Sequence, residues 1–292
     1  MKHTKLTAAL LIGMIFTMSC DSEIEEGVMK SDLKKDVEMV TSKGTLVLRL
    51  SDETPLHRNN FIKLVNTKFY DSISFHRIIE NFMVQAGDPE TKNSETDKTP
   101  GATDLPYTIP AELSPNLFHK KGALGAARTG DDTNPLRASS STQFYIVQGR
   151  VYNDSVLNYQ LGRANKWTAY NNVINKPENK AKHKELQDLM GNWQESDSVA
   201  KAQYPVLKGV FDSLAEIELE NMTLYAYPED HETAYKTIGG AAHLDQNYTV
   251  FGKVVHGLNV IDSIAMVKTD STDKPLKDVK ILSTRMVKRK DY

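Results

Sequence analysis

Several short segments of this sequence alternate apolar and polar residues with a period of two, and this pattern restricts the possible folds most. The alternation runs through residues 37–41 and returns at residues 46–50, and the turn signal Ser42–Lys43–Gly44 separates the two segments. Such alternation places every second side chain on the same face of a strand. The two segments therefore predict a β-hairpin with one buried face.

Further short strands and two helices follow the hairpin. The additional strand candidates are residues 74–79, 82–86, 122–127, 142–147, 249–255 and 279–287. One helix begins at Thr54–Pro55, since proline suits the first turn of a helix, and the second covers residues 258–266. Many short strands with only two helices predict a mainly β protein, built as a closed antiparallel barrel with two capping helices.

Residues 152–239 interrupt this pattern, because they show little period-two alternation. They contain both tryptophans and seven of the twelve tyrosines, and such an aromatic composition argues against disorder. Apolar residues recur at helical spacing across residues 206–217, and residues 182–190 also have a helical pattern. We therefore expect an ordered helical insertion at residues 152–239.

The first twenty residues predict export. Lys2 and Lys5 precede an apolar run at residues 6–18, which is shorter than the ~20 residues that span a bilayer. This pattern indicates a signal peptide at residues 1–19. The four residues 17–20, Thr-Met-Ser-Cys, resemble a bacterial lipobox, although Thr17 stands where leucine is usual. The resemblance implies lipidation of Cys20, the single cysteine; the alternative is an ordinary cleaved signal with an incidental cysteine.

The remaining composition limits the partners. Residues 20–36 are polar and charged, and we expect them to form a flexible tether between a lipid anchor and the folded body. A formal net charge of −2 argues against nucleic acid as a partner. The sequence has no familiar metal or nucleotide motif, and we expect no metal or other cofactor. We expect the protein to lie in the cell envelope of a bacterium. It would be a membrane-anchored lipoprotein that faces the periplasm or the outer membrane.

The segment FHRIIENFMVQAGD, residues 75–88, carries the chemistry. By itself it predicts two strands with an arginine and a glutamine among large apolar residues, and Arg77 could simply form a surface ion pair. The segment resembles the signature of the cyclophilins, which are peptidyl-prolyl cis–trans isomerases. Three more motifs match the family in order: GALGAARTG at residues 122–130, STQFYIV at 141–147 and HLDQNYTVFGKV at 243–254.

The resemblance implies an eight-stranded, closed antiparallel barrel formed by residues 37–151 and 240–292, with the helical insertion between them. It also implies three catalytic residues, which are Arg77, Phe82 and Gln85. The implied substrate-binding residues are His76, Met83, Ala127, Arg128, Gln143, Tyr145, His243, Leu244 and Tyr248. Four of these depart from the usual family residue: Arg128 from asparagine, Tyr145 from phenylalanine, His243 from tryptophan and Tyr248 from histidine.

The activity implied by the resemblance is rotation about X-Pro peptide bonds in proline-containing segments of unfolded or exported proteins. Such an enzyme would assist the folding of envelope or exported proteins. Two other functions fit the same sequence: a binding module in which the insertion docks a partner, and a chaperone in which the aromatic insertion holds unfolded chains.

Overall fold

The computed structural model describes residues 22–92, 101–194 and 197–292. The predicted signal peptide and Cys20 lie outside the described residues. Within those ranges, no helix is both long and apolar enough to cross a membrane. The strands are β1 (Glu23–Glu25), β2 (Val28–Met29), β3 (Lys35–Thr41), β4 (Gly44–Leu50), β5 (Arg77–Ile79), β6 (Met83–Ala86), β7 (Thr108–Ile109), β8 (Ala123–Ala126), β9 (Ser139–Ser140), β10 (Phe144–Val147), β11 (Val250–His256) and β12 (Ile281–Lys288). The helices are α1 (Pro55–Asn66), α2 (Asp154–Asn175), α3 (Lys180–Gln194), α4 (Ser198–Asn221), α5 (Glu229–Thr237) and α6 (Leu258–Ala265).

Eight of these strands form one antiparallel sheet in the order β12-β3-β4-β11-β8-β10-β6-β5. Every strand of this sheet contributes side chains to a single hydrophobic core, so the sheet curls around that core. Helices α1 and α6 cover it with apolar residues such as Phe61, Ile62, Ile261 and Ile264. The mainly β architecture and its two covering helices agree with the sequence analysis.

The closed barrel expected from the sequence is wrong, because the sheet is open. Among the described residues no ladder joins β5 to β12. The segment before β5 contacts the start of β12 through an isolated bridge between Ser74 and Lys280 and through backbone hydrogen bonds of residues 72 and 73 with Ile281. The N–H of Phe75 still donates to the carbonyl of Val279 at 2.8 Å, but the N–H of Ile78 donates to the loop carbonyl of Asp273 at 2.9 Å. Pairing between the edges therefore ends where the chain reaches β5.

The flexible tether expected at residues 20–36 is also wrong for its described part. Strands β1 and β2 form a small hairpin, and Val28 is buried in the main core. The buried carboxylate of Asp32 accepts hydrogen bonds from the N–H of Met29 at 3.1 Å and from Asn66 at 3.0 Å, and pairs with Lys35 at 3.0 Å. These partners compensate the cost of burying a charge, so the polar composition does not produce disorder here.

Four helices, α2 to α5, lie in the described part of residues 152–239. Asn153 and Asp197 cap α2 and α4, because their side chains accept hydrogen bonds from the first free N–H groups of each helix. Helices α2, α3 and α4 bury a small core of their own, formed by Val173, Ile174, Leu186, Phe211 and Ala215.

A second cluster joins these helices to the sheet-forming part of the chain. It contains Phe118, Tyr152, Leu157, Tyr235 and Ala242. The ring of Phe118 stacks on His231 of α5 at 3.6 Å between centroids. The helices of the insertion therefore share buried surface with the body that carries them.

Candidate functional site

A row of residues crosses four neighbouring strands on the outer face of the sheet. Arg77 of β5 lies opposite Gln85 of β6, Gln85 lies opposite Tyr145 of β10, and Tyr145 lies opposite Gly125 of β8. Neighbours directly opposite each other point to the same face, while residues such as Ile78 and Val84 point into the main core. Strand pairing therefore brings together three residues that are far apart in the sequence.

Beside this row lies an apolar cluster that is separate from the main core. Its buried members include Met83, Ala127, Tyr145 and Leu244, and the half-buried Phe82, Trp167 and Tyr248 pack against them. The ring of His243 lies 5.3 Å from that of Phe82. The structure thus gathers most of the apolar site residues predicted from the sequence into one pocket, together with Trp167 of α2, which the sequence did not indicate.

Arg77 stands at the edge of this pocket with 46% of its side chain exposed. Its Nε lies 3.4 Å from the Oδ2 of Asp273, which is itself 41% exposed. Exposed ion pairs of this kind contribute only ~0–1 kcal/mol. The ion pair therefore orients Arg77 but leaves guanidinium N–H groups accessible to a bound peptide.

The two glutamines form a chain of directed hydrogen bonds. The Nε2 of Gln85 donates to the Oε1 of Gln143 at 3.1 Å, and the Nε2 of Gln143 donates to the carbonyls of Gly101 and Thr103 at 2.9 and 3.1 Å. These bonds fix which end of each amide is the donor. His76 lies behind Gln143 against Gly101 and is 95% buried, so it supports this loop.

Arg128 and Tyr248 form a stacked pair at the opposite side of the pocket. The Arg128 guanidinium lies 4.2 Å from the centre of the Tyr248 ring, donates to the carbonyl of Asn247 at 2.9 Å and pairs with Asp131 at 2.6 Å. The N–H of Ala127 donates to the carbonyl of Gln143 at 3.0 Å, so it is not available to a substrate. Arg128 therefore shapes this wall of the pocket with its charge already compensated.

A buried polar chain holds the Tyr145 ring from behind. The Tyr145 hydroxyl donates to the Nε2 of His119 at 2.8 Å, and the Nδ1 of His119 donates to the Oδ1 of Asp245 at 2.8 Å. The hydroxyl of Tyr235, on α5 of the insertion, donates to the other oxygen of Asp245 at 2.6 Å. Burial raises the pKa of Tyr145 well above its usual value, so this hydroxyl stays a neutral donor. Sequence reasoning missed His119, Asp245 and Tyr235.

Gly125 is required by the close approach of the Tyr145 ring. A Cβ atom at position 125 would lie 2.3 Å from the Cζ of Tyr145, which His119 holds in place. We expect Gly125→Ala to lower the free energy of unfolding by ~1–3 kcal/mol, the usual cost of overpacking, and to lower kcat/KM by moving the ring. Isomerase assays and denaturant unfolding of Gly125→Ala, Tyr145→Ala and the double variant test this. If the losses in the free energy of unfolding of the two single variants simply add in the double variant, a Cβ atom at position 125 does not clash with the Tyr145 ring.

The buried histidines make stability depend on pH. Burial lowers the pKa of His76 to about 4 and that of His243 to about 3, whereas an unfolded histidine titrates near 6.5. Below pH ~6.5 the unfolded chain therefore binds protons that the folded chain does not, and stability falls as the pH drops. We expect the free energy of unfolding to decrease between pH 7.5 and 5, and His76→Gln to reduce that slope. His256→Gln, at an exposed position, is the control and should leave the slope unchanged. An unchanged slope in His76→Gln would contradict the lowered pKa of His76.

Comparisons with known proteins bear on the family of this chain. The sequence model described as "Cyclophilin type peptidyl-prolyl cis-trans isomerase/CLD" matches residues 36–181 and 235–286. A candidate peptidyl-prolyl cis-trans isomerase of Staphylococcus haemolyticus is 27% identical over 262 residues, covering 89% of this chain and 94% of the relative. One from Staphylococcus saprophyticus is 28% identical over 250 residues, covering 85% and 90%. A crystal structure of a cyclophilin type isomerase from Cryptosporidium parvum aligns with a TM-score of 0.46 at 16% identity, covering 88% of this chain and 99% of that one.

The family model matches well over half of the chain, so the chain belongs to the cyclophilin-type peptidyl-prolyl cis–trans isomerases. This confirms the family and the enzyme class predicted from the four sequence motifs. The two matched stretches leave residues 182–234 outside, and these carry most of α3, all of α4 and the start of α5.

Proposed function

We propose that the pocket formed by Phe82, Met83, Tyr145 and Leu244 binds the proline ring of a substrate, and that Arg77 catalyses rotation about the preceding peptide bond. The observation that carries this proposal is the cross-strand row of Arg77, Gln85 and Tyr145 beside an apolar cluster. An apolar pocket suits the ring, and hydrogen-bonding groups at its edge suit the amide that must rotate.

The physical demand of the reaction matches these groups. Amide resonance opposes rotation with a barrier of ~18–20 kcal/mol, and uncatalysed X-Pro exchange takes roughly 10–100 s. When the bond twists, the proline nitrogen loses conjugation and gains a lone pair that can accept a hydrogen bond. The guanidinium of Arg77 donates to that nitrogen only in the twisted state, so it stabilises the transition state and not the planar substrate.

The glutamines hold the rest of the peptide in register. Gln143 fixes Gln85 by accepting one of its amide hydrogens, and Gln85 then presents its remaining polar groups to the substrate backbone. Phe82 and Met83 restrain the ring while the amide turns. The reaction requires no nucleophile, cofactor or proton transfer, because no covalent bond is made or broken.

The physiological role that we propose is to assist the folding of exported or envelope proteins. The supporting observation is the signal-like N-terminus. A protease-coupled assay on a proline tetrapeptide tests the chemistry, and the refolding rate of a proline-limited protein tests the role. A folded protein that binds such chains without accelerating either reaction would instead be a binding module or a holding chaperone.

We further propose that Cys20 carries a lipid anchor. The described residues begin at Ser22, two positions after Cys20, so a lipidated Cys20 would hold the body close to the membrane surface. Expressed in a bacterial host, the wild-type protein should fractionate with membranes and give an N-terminal peptide with the added mass of a lipid. Cys20→Ala should lack that mass and leave the membrane fraction. A mature wild-type chain that starts elsewhere, with unmodified Cys20, would rule out the anchor.

A further inference from the structure

A second cavity of about 620 Å³ lies between the insertion and the loop after β8. Its lining includes Arg128 from that loop, Trp167 and Tyr170 from α2, Ala215 and Leu219 from α4, and Tyr248. The volume falls within the range of cavities that bind small ligands and side chains, ~300–1,000 Å³. Helix α4 lies outside the stretches matched by the family model, so this wall is supplied by the insertion.

The cavity adjoins the proposed proline pocket, because Trp167 and Tyr248 line the cavity and also pack against the apolar cluster of that pocket. The ring of Trp167 lies 5.9 Å from that of His243, and His243 lies 5.3 Å from Phe82. An extended chain advances ~3.3 Å per residue. A substrate whose proline contacts Phe82 therefore reaches Trp167 with a side chain about three residues away.

The lining favours an uncharged side chain. Arg128 is paired with Asp131, Lys208 with Asp212, and the Tyr170 hydroxyl donates to Asp132. Lys166 and Glu216 also line the cavity, so charges of both signs are present and neither sign dominates. The lining therefore offers little net attraction to a charged ligand. The aromatic rings and the aliphatic Ala215 and Leu219 supply the remaining contact surface.

The Trp167 wall is fixed in place by a buried arginine. Arg137 is 7% exposed; it donates to the carbonyl of Trp167 at 2.9 Å, pairs with Asp131 at 2.9 Å and donates to the carbonyl of Gln246 at 3.1 Å. One guanidinium thus ties α2 to both the loop after β8 and the segment before β11. A cavity with preorganised walls binds without the entropic cost of ordering them.

We propose that this cavity is a second substrate subsite, which takes an aromatic or large aliphatic side chain about three residues from the proline on the same polypeptide. The proposal rests on the proposed function, since the proline pocket positions the chain. Selection for such a side chain directs the enzyme to apolar segments of unfolded proteins, whose large side chains are exposed before folding.

The test compares three sets of proline peptides: a tetrapeptide, longer peptides with phenylalanine three or four residues from the proline on either side, and the same peptides with glutamate there. For wild type we expect kcat/KM for a phenylalanine peptide to exceed that of its glutamate partner by roughly tenfold or more. Ala215→Phe fills the cavity and should remove this preference while retaining tetrapeptide turnover. Ala202→Phe, an exposed position on the same helix, should keep the preference.

Two outcomes overturn the subsite: no preference in wild type, or a preference that survives in folded Ala215→Phe. Wild type without tetrapeptide turnover would instead contradict the proposed function. A second measurement does not depend on activity or on the filled cavity. Trp193→Phe leaves Trp167 as the single tryptophan, and its fluorescence should change more when the phenylalanine peptide binds than when the glutamate peptide binds. Binding of that peptide without any change at Trp167 would also overturn the subsite.

Discussion

Arg77→Ala should lower kcat/KM for a proline tetrapeptide by about 100- to 1,000-fold, the usual cost of removing one preorganised donor to a transition state. The loss should appear mainly in kcat, because the hydrogen bond to the proline nitrogen forms only in the twisted state. Arg77 is half-exposed and its recorded ion pair is with the exposed Asp273, so the substitution should leave the free energy of unfolding nearly unchanged.

Two further variants sharpen this experiment. Arg77→Lys keeps the charge but replaces the planar fork with a point ammonium, so it should recover little of the rate. Arg285→Ala removes an exposed arginine, paired with Glu38 on β3, and should retain full activity. Near wild-type kcat/KM in folded Arg77→Ala would show that another group stabilises the transition state.

Asp245→Ala should give the largest loss of stability, about 3–5 kcal/mol in the free energy of unfolding, because three buried donors lose their acceptor. The carboxylate accepts hydrogen bonds from the backbone and ring of His119 and from the Tyr235 hydroxyl, and all three residues are buried. Alanine leaves these donors without partners in the interior, which is costly for each one. We expect the midpoint of thermal unfolding to fall by roughly 10 °C.

The matched control is Asp188→Ala, which removes an exposed carboxylate paired with Lys184 on the same helix. Such a surface change should alter the free energy of unfolding by less than about 0.5 kcal/mol. Tyr235→Phe removes only one of the donors and should cost less than Asp245→Ala. If Asp245→Ala unfolds at the same denaturant concentration as the control, the buried chain does not stabilise the fold.

The strands could be predicted from local pattern, and the resemblance to a family indicated the residues that the structure gathers in the apolar cluster. Period two places Ile78 inside and Arg77 outside, and strand pairing then aligns Arg77 with Gln85 and Tyr145. The apolar cluster members Phe82, Met83, Tyr145 and Leu244 lie in sequence motifs that resemble the family. These features therefore follow from residues that are near each other in the sequence or in neighbouring strands.

The remaining features depend on long-range contacts that no local pattern contains. His119, Asp245 and Tyr235 meet through tertiary packing, in which Tyr235 of α5 lies against Phe118 and Tyr152, and none of the three stands at a recognisable spacing. The polar segment before β3 looked like a tether, yet Asp32 is buried with three partners. The open edge of the sheet likewise follows from one amide, that of Ile78, which bonds to a loop carbonyl.

The insertion shows most clearly that long-range contacts could not be predicted from the sequence. Helical spacing predicted its helices, but it could not predict that Trp167 would pack against the apolar cluster or that Tyr235 would support Tyr145 through Asp245 and His119. These contacts make the helices part of the site and its support. We therefore expect their replacement by a short loop to reduce the stability of the body as well as its activity.

Exchange spectroscopy by NMR on a proline peptide tests the central claim most directly, because it observes the rotation itself without a coupling protease. With a substoichiometric amount of the wild-type protein, the cis and trans resonances should exchange within a fraction of a second, against roughly 10–100 s without it. The same amount of Arg77→Ala should leave exchange close to the uncatalysed rate. Separate, slowly exchanging resonances in the presence of folded wild-type protein would contradict the account.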